Sequence, residues 1–279
     1  MKIRVAHSPD SDDAFMFYPL TKGLIDTEGL EFEHILADIE TLNREALKGT
    51  YEVSAISFHA YPYVADKYAV LPSGGSVGEG YGPIVVSKEE LGSLKGKRIA
   101  VPGELTTAFL VLKLYEPEIE HVVYPFDRII DAVLKGEVEA GLVIHEGQLS
   151  YKDYGLKKVV DLGEWWKEKY GLPLPLGCNI VKKDLGKDVI KKIERLMRKS
   201  VEYALKEKEK ALEYAINYAR DLKDDPRRTE KFVSMYVNER TIDYGEEGRE
   251  AVRLLLRLGK EKGIIKTEIP EKIFSDELF

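Results

Sequence analysis

The sequence predicts an α/β fold with mainly parallel sheets, divided into two lobes and finished by a C-terminal helical segment. Three observations carry this reading. Short apolar strands alternate with helical stretches through the first two thirds of the chain, the pattern of a sheet covered by helices. The same strand–turn–helix plan opens twice, at residues 3–17 and 98–112. After residue 184 the strand signals stop, and Val189, Ile193, Leu196, Met197, Val201, Ala204 and Leu205 recur at helical spacing as one apolar stripe.

The totals bound the answer. The 279 residues are 44% hydrophobic and 33% charged, enough for a sizeable core and for one large domain or two of ordinary size. A net charge of -7 argues against a nucleic-acid partner or an anionic membrane surface, since both need basic patches. The single cysteine, Cys178, excludes an intramolecular disulfide. Met1 to Ala6 enters a strand pattern directly, without the basic and apolar regions of a signal peptide. No stretch approaches the ~18 apolar residues of a membrane span. The expected location is therefore cytoplasmic. The run Lys206-Glu207-Lys208-Glu209-Lys210 is compatible with a thermophilic source and equally with a solvated helix face.

The elements follow in order. Ile3 and Val5 begin a strand that Pro9 ends. The loop Asp10-Ser11-Asp12-Asp13 precedes a helix from Ala14, and such a turn offers free backbone N–H groups to a ligand. Its three carboxylates suit a cation or a polyol. Asp10 is read as a helix cap, and Asp12 or Asp13 as a ligand contact. Leu30–Leu36 alternates as strand two, with His34 on its surface. Asp38–Leu47 is a helix ended by Gly49, capped by Asp38 or Thr41. Strand three, Val53–Ser57, is built of small residues that let a ligand approach its end, where Ser57 presents a hydroxyl. Phe58 to Tyr68 is read as an aromatic-rich helix with His59 packed or capping inside it.

Leu71 to Pro83 is rich in glycine but lacks the lysine and following helix of a phosphate loop, and reads as a mobile turn into the strand Ile84–Val86. Lys97–Gly103 is a strand and turn, after which Thr106-Thr107-Ala108 opens a helix. Hydroxyls and N–H groups there suit a carboxylate, or simply cap the helix. A short strand at His121–Tyr124, a helix from Phe126 to Leu134, a strand at Val159–Leu162 and a helix around Trp165-Trp166 follow. The proline-braced Leu172–Gly177 leads into the strand Asn179–Val181. Further helices are expected at Ala211–Leu222, Phe232–Val237 and Ala251–Leu256.

The stretch with the most chemical content is Gly141-Leu142-Val143-Ile144-His145-Glu146-Gly147, a buried strand running into a polar turn. Ligands in open α/β sheets bind at carboxyl ends of strands. A histidine there, with an ordinary pKa of about 6.5, either exchanges a proton with a ligand or caps the strand by a backbone hydrogen bond.

Two α/β units with crossings near residues 83–87 and 175–182 resemble the two-lobed periplasmic-binding-protein (type II) fold, in which lobes close on a ligand by hinge motion. Residues 1–85 and 180–279 are expected to form a discontinuous first lobe, and 86–179 the second, with the ligand cleft between them.

The resemblance becomes specific at several segments. These are Ser8-Pro9 with Asp13-Ala14-Phe15, Asp38–Asn43, Ser73-Gly74-Gly75, Val101-Pro102-Gly103 with Thr106-Thr107-Ala108, Gly136–Leu142 with His145-Glu146, and Val160–Gly163 with Trp165-Trp166 and Leu172–Gly177. In order and over nearly the whole chain they resemble the 1,4-dihydroxy-6-naphthoate synthase family of the futalosine pathway of menaquinone biosynthesis. The resemblance implies a lyase that converts cyclic dehypoxanthine futalosine to 1,4-dihydroxy-6-naphthoate with no metal or organic cofactor, acting on a small-molecule carboxylate. It implies His145 as the general base. It implies Ala55, Ile56 and Ser57, and Thr107 and Ala108, as substrate contacts; Thr106 at the same helix start and Asp13 in the first loop are further contacts expected from the residues themselves. The family's first loop is Ser-Pro-Cys-Pro-Asn-Asp-Thr-Phe; here Asp12 replaces the Asn and Ala14 the Thr. The alternatives are the related chorismate dehydratase and a cytoplasmic small-carboxylate-binding protein that uses the same cleft without chemistry.

Overall fold

The computed structural model describes residues 1–220 and 222–279. Eleven strands among them form two sheets. The first contains β1 (Lys2–His7), β2 (Glu31–Leu36), β3 (Val53–Ser57), β4 (Tyr68–Val70) and β5 (Ser76–Gly78). The second contains β6 (Ile84–Ser87), β7 (Arg98–Val101), β8 (Glu120–Val123), β9 (Ala140–Val143) and β10 (Lys157–Asp161). The last strand, β11 (Leu174–Lys182), returns to the first sheet. The first sheet runs β2-β1-β3-β11-β4 with β5 on β11, and the second β10-β6-β9-β7-β8.

The parallel pairing expected from alternating strands and helices holds for β2-β1-β3 and for β8-β7-β9. The strands nearest the crossings, β6 and β11, pair antiparallel with their neighbours, so both sheets are mixed. A chain that leaves one sheet and re-enters it arrives without a covering helix to reverse its direction, which favours the antiparallel arrangement.

Eleven helices accompany the strands in the described residues. In the first two thirds these are α1 (Ser11–Thr21), α2 (Ile39–Lys48), α3 (Thr107–Tyr115), α4 (Ile129–Lys135), α5 (Gly147–Ser150) and α6 (Leu162–Tyr170). The C-terminal segment adds α7 (Lys187–Lys206), α8 (Lys208–Ala215), α9 (Pro226–Tyr236), α10 (Glu239–Ile242) and α11 (Gly245–Glu261). The predicted stripe on α7 buries Ile193, Leu196, Met197, Val201 and Ala204 against α1 and the first sheet. Local signals end several helices as expected: Asp38 caps α2 by accepting from the Thr41 amide, and Gly49, Gly136 and Gly171 end α2, α4 and α6 at positive φ. No helix among the described residues is long and apolar enough to cross a membrane.

Four expectations need correction. Phe58 to Tyr68 is not a helix; it is a single 3-10 turn at Tyr61–Tyr63 followed by β4. Pro62 starts that turn, and burying Phe58, Tyr61 and Tyr68 in one core overrides the helical spacing. The glycine-rich stretch is not a plain turn, because it contains β5, which pairs with β11. Helix α1 starts at Ser11, so Asp12 and Asp13 lie in its first turn instead of before it. Asp10 occupies the cap position, but its side chain makes no capping bond. The helix expected over Ala211–Leu222 ends at Ala215 and passes into a 3-10 turn at Ile216–Tyr218; residue 221 of that range lies outside the described residues.

Candidate functional site

The carboxyl ends of β1, β3, β7 and β9 meet around one cavity of about 140 Å³. It is lined from the first sheet by Ser8, Asp12, Asp13, Ala55, Ile56 and Ser57, and from the second by Thr106, Thr107, Ala108, Ile144 and His145. Phe232 and Tyr236 of α9 complete the wall. Every residue expected at the site therefore lies on the same cavity, although the two groups come from different sheets.

Ser57 is buried, and its position is dictated by Asn43 on α2. The Asn43 amide donates from Nδ2 to Ser57 Oγ (3.1 Å), and the Ser57 backbone N–H donates to Asn43 Oδ1 (2.8 Å). On the other side of the cavity, Thr106 Oγ1 accepts from the Phe109 amide (3.2 Å) and donates to the Gly103 carbonyl (2.8 Å). Thr107 Oγ1 donates to the Leu176 carbonyl (2.6 Å) and accepts from the His59 amide (3.2 Å). Both hydroxyls are thus engaged within the protein. What α3 offers a ligand is its N-terminal backbone N–H groups, which have no intrahelical acceptors. His59 itself is buried with Nδ1 3.2 Å from the Thr106 carbonyl, and burial lowers its pKa to about 4, so it is a packed, neutral histidine.

The three carboxylates of the first loop do not behave alike. Asp10 Oδ1 accepts from Arg220 Nε at 3.2 Å. Asp13 Oδ2 accepts from the Ser8 amide at 2.7 Å, yet burial still raises its pKa to about 6. Asp12 is pushed well above the usual carboxylate range, first by burial and then by the charges of Asp13 and Asp10. A neutral Asp12 carboxyl presents one acceptor oxygen and one donor, close in shape to an asparagine amide.

His145 follows β9 and is 7% exposed. Its ring stands edge-on to Phe126, centroids 5.2 Å apart, and the Arg220 guanidinium lies over the Phe126 ring, 4.7 Å from its centroid. Gly147 is required beside it: a Cβ there would sit 2.9 Å from His145 Cε1 and 2.8 Å from a Val143 methyl. The cavity also holds Asn179, whose Nδ2 donates to the Gly74 carbonyl (2.8 Å) while its buried Oδ1 has no protein partner among the described residues. That oxygen is an acceptor for a ligand hydroxyl or N–H.

Sequence reasoning missed Asn43, Glu146, Asn179, Phe232 and Tyr236. Asn43 left only a weak signal, a polar residue among the apolar positions Leu42 and Ala46 of the helix; its burial is seen only in the structure. Phe232 and Tyr236 left none, because nothing local distinguishes them from core aromatics.

A family described as menaquinone biosynthesis matches residues 3–261 of the chain. A 1,4-dihydroxy-6-naphthoate synthase from Thermus thermophilus is 44% identical over 262 residues, covering 94% of this chain and 95% of the relative. A solved structure of a protein from Archaeoglobus fulgidus is 54% identical, with a TM-score of 0.91 over 95% of this chain and 98% of that one. A Candida albicans protein described as having the generic periplasmic-binding-protein fold superposes with a TM-score of 0.64 at 15% identity, covering 97% of this chain and 98% of its own. That last likeness concerns the fold alone, and the fold is the two-lobed periplasmic-binding-protein type.

Proposed function

The chain belongs to the menaquinone-biosynthesis family, and from that premise we propose that it converts cyclic dehypoxanthine futalosine to 1,4-dihydroxy-6-naphthoate, as a carbon–carbon lyase with His145 as general base. The observation that carries this reading is the convergence of His145, Ser57 and the α3 N-terminus on one cavity. The N–H groups at Thr107 and Ala108 receive the naphthoate carboxylate, where the helix end favours negative charge. Ser57, held by Asn43, and the free oxygen of Asn179 receive the polar groups of the sugar-derived ring. Asp13 takes a substrate hydroxyl with the carboxylate oxygen that Ser8 does not occupy.

Opening the sugar-derived ring requires removal of a proton from carbon or hydroxyl. A neutral imidazole next to the reacting atom supplies that step, and general-base catalysis contributes about 100- to 10,000-fold in rate. Burial of the site keeps water from the intermediate. Asp12, whose carboxyl is raised above its ordinary range by burial and by Asp13 and Asp10, stands where the family usually has asparagine.

The test is turnover of cyclic dehypoxanthine futalosine by the wild type and by His145→Ala, with the product identified by mass spectrometry. Naphthoate formation by the wild type, reduced by about 100-fold or more in the variant while substrate still binds, is the expected result. Tight binding without turnover by either protein would sink the enzyme reading and leave a binding protein.

A further inference from the structure

The residue after His145 is a buried acid. Glu146 is 2% exposed and lines no part of the cavity, yet its carboxylate accepts three hydrogen bonds from two places far from it in sequence. Ser11 Oγ, at the start of α1, donates to Oε1 at 2.8 Å. The backbone N–H groups of Arg220 and Leu222 donate to Oε2 at 2.8 Å and 3.3 Å. Ser11 belongs to the first sheet's leading helix, Glu146 to the turn after the second sheet's β9, and Arg220 and Leu222 to the C-terminal segment. One carboxylate thus fastens three parts of the molecule at a point adjacent to His145.

Neighbouring contacts reinforce the same junction. Gln148 Oε1, two residues on, accepts from the Tyr236 hydroxyl at 2.6 Å, and both groups are buried. The Arg220 side chain reaches back to Asp10 of the first lobe and covers Phe126, the ring that stands against His145. Leu222, Phe232 and Tyr236 form a small apolar cluster that also takes in Leu149.

A buried carboxylate is costly unless its oxygens are fully bonded. Here the three donors assemble only when α1, the β9 turn and the C-terminal segment are together. Ser11, Arg220 and Leu222 all belong to the first lobe and Glu146 to the second, so if the lobes part the carboxylate leaves all three donors and returns to water. Burial raises the carboxyl above its ordinary range and the Asp10 charge adds to this, while Ser11 and the two N–H groups oppose the shift.

We propose that Glu146 is a positioning residue: it latches the closed lobes and thereby holds His145 at the reacting atoms. The proposal rests on the reading of His145 as the base. Its consequence is a loss in kcat larger than any rise in KM, because Ser57 and the α3 N-terminus each stay in place on their own lobe while the position of His145 relative to the reacting atoms loosens.

The experiment compares Glu146→Ala, Glu146→Gln, Ser11→Ala and His145→Ala, measuring kcat, KM and amide hydrogen exchange at Arg220 and Leu222. A loosely held catalytic group loses about 100-fold in rate, so Glu146→Ala is expected to lose about that much kcat with KM within about threefold. Glu146→Gln is expected to recover most of the rate, since its amide oxygen accepts from the two backbone N–H groups and its NH2 donates to Ser11 Oγ. Ser11→Ala removes one bond of three, retains the fold, and is expected to lose about tenfold. Exchange at Arg220 and Leu222 is expected to accelerate in Glu146→Ala and to stay slow in Glu146→Gln. An inactive His145→Ala beside an unimpaired Glu146→Ala overturns the latch alone. A fully active His145→Ala overturns the base assignment and the latch's role with it. Equal losses in Glu146→Gln and Glu146→Ala, or unchanged exchange in both, also overturn it. If Glu146→Ala does not fold, the Ser11→Ala and Glu146→Gln arms decide.

Discussion

Replacing Asn43 by alanine should damage stability and substrate binding together. Asn43 is 0% exposed, and it meets Ser57 through two hydrogen bonds, one to the backbone N–H and one to the hydroxyl. Truncation leaves the Ser57 N–H buried without an acceptor, at a cost of about 1–3 kcal/mol, and forfeits the hydroxyl bond, worth about 1 kcal/mol. The sum is about 2–4 kcal/mol. For a chain of this size each kcal/mol moves the melting temperature by about 2–4 °C, so Asn43→Ala should melt lower by about 4–16 °C. Ser57 then loses its fixed rotamer at the cavity wall, and KM for cyclic dehypoxanthine futalosine should rise by about tenfold or more. Scanning calorimetry and steady-state kinetics on the same preparation provide the assay. A variant that melts within about 1 °C of the wild type with an unchanged KM would refute the argument that Asn43 sets Ser57.

Three further outcomes follow from the packing and from the buried titratable groups. At Gly163, a Cβ would lie 2.0 Å from the Tyr81 carbonyl carbon, a backbone atom that cannot swing away. Gly163→Ala should therefore cost about 3 kcal/mol or more in urea unfolding, and a cost below about 1 kcal/mol would show that the two loops separate easily. His7 is buried, stacked 4.3 Å from Phe17, with Nε2 3.1 Å from His34 Nδ1 and Nδ1 3.0 Å from the Ser8 carbonyl. Burial first, and His34 second, lower its pKa from 6.5 to about 3. The folded state thus binds fewer protons than the unfolded chain between those values, so this contribution to stability is present above pH 6.5 and is lost as pH falls toward 3. His7→Gln should flatten stability against pH in that window by up to about 1.4 kcal/mol per unit. Asp13, raised to about 6, acts in the opposite sense, stabilising the fold as pH falls, and Asp13→Asn should steepen the acid loss; parallel curves for wild type and His7→Gln would refute the assignment to His7.

The sequence carried the local features of this protein with little loss. Alternation at Glu31–Leu36, the Asp38 cap with Gly49 at the other end, and the apolar stripe on α7 are all fixed by neighbours within a turn or two, so they survive without tertiary context. The strand ends were legible for the same reason: Ser57 and His145 each follow a buried apolar run, and Thr106 to Ala108 open a helix just after a strand and turn. Local propensity failed at Phe58 to Tyr68, where burial of Phe58, Tyr61 and Tyr68 in one core outweighs helical spacing. It failed again at Ser76–Gly78, whose strand identity comes from pairing with β11, about a hundred residues away in sequence. What no local pattern contains is which groups face each other across the cavity. Asn43 beside Ser57, Phe232 and Tyr236 on the same cavity as His145, and Ser11 with Arg220 and Leu222 on Glu146 all join segments that only packing brings together. Identity of residue types gave the chemistry available at each strand end; the buried environment, which sets protonation and hydrogen-bond partners, was decided by the tertiary structure because desolvation and long-range pairing have no period along the chain.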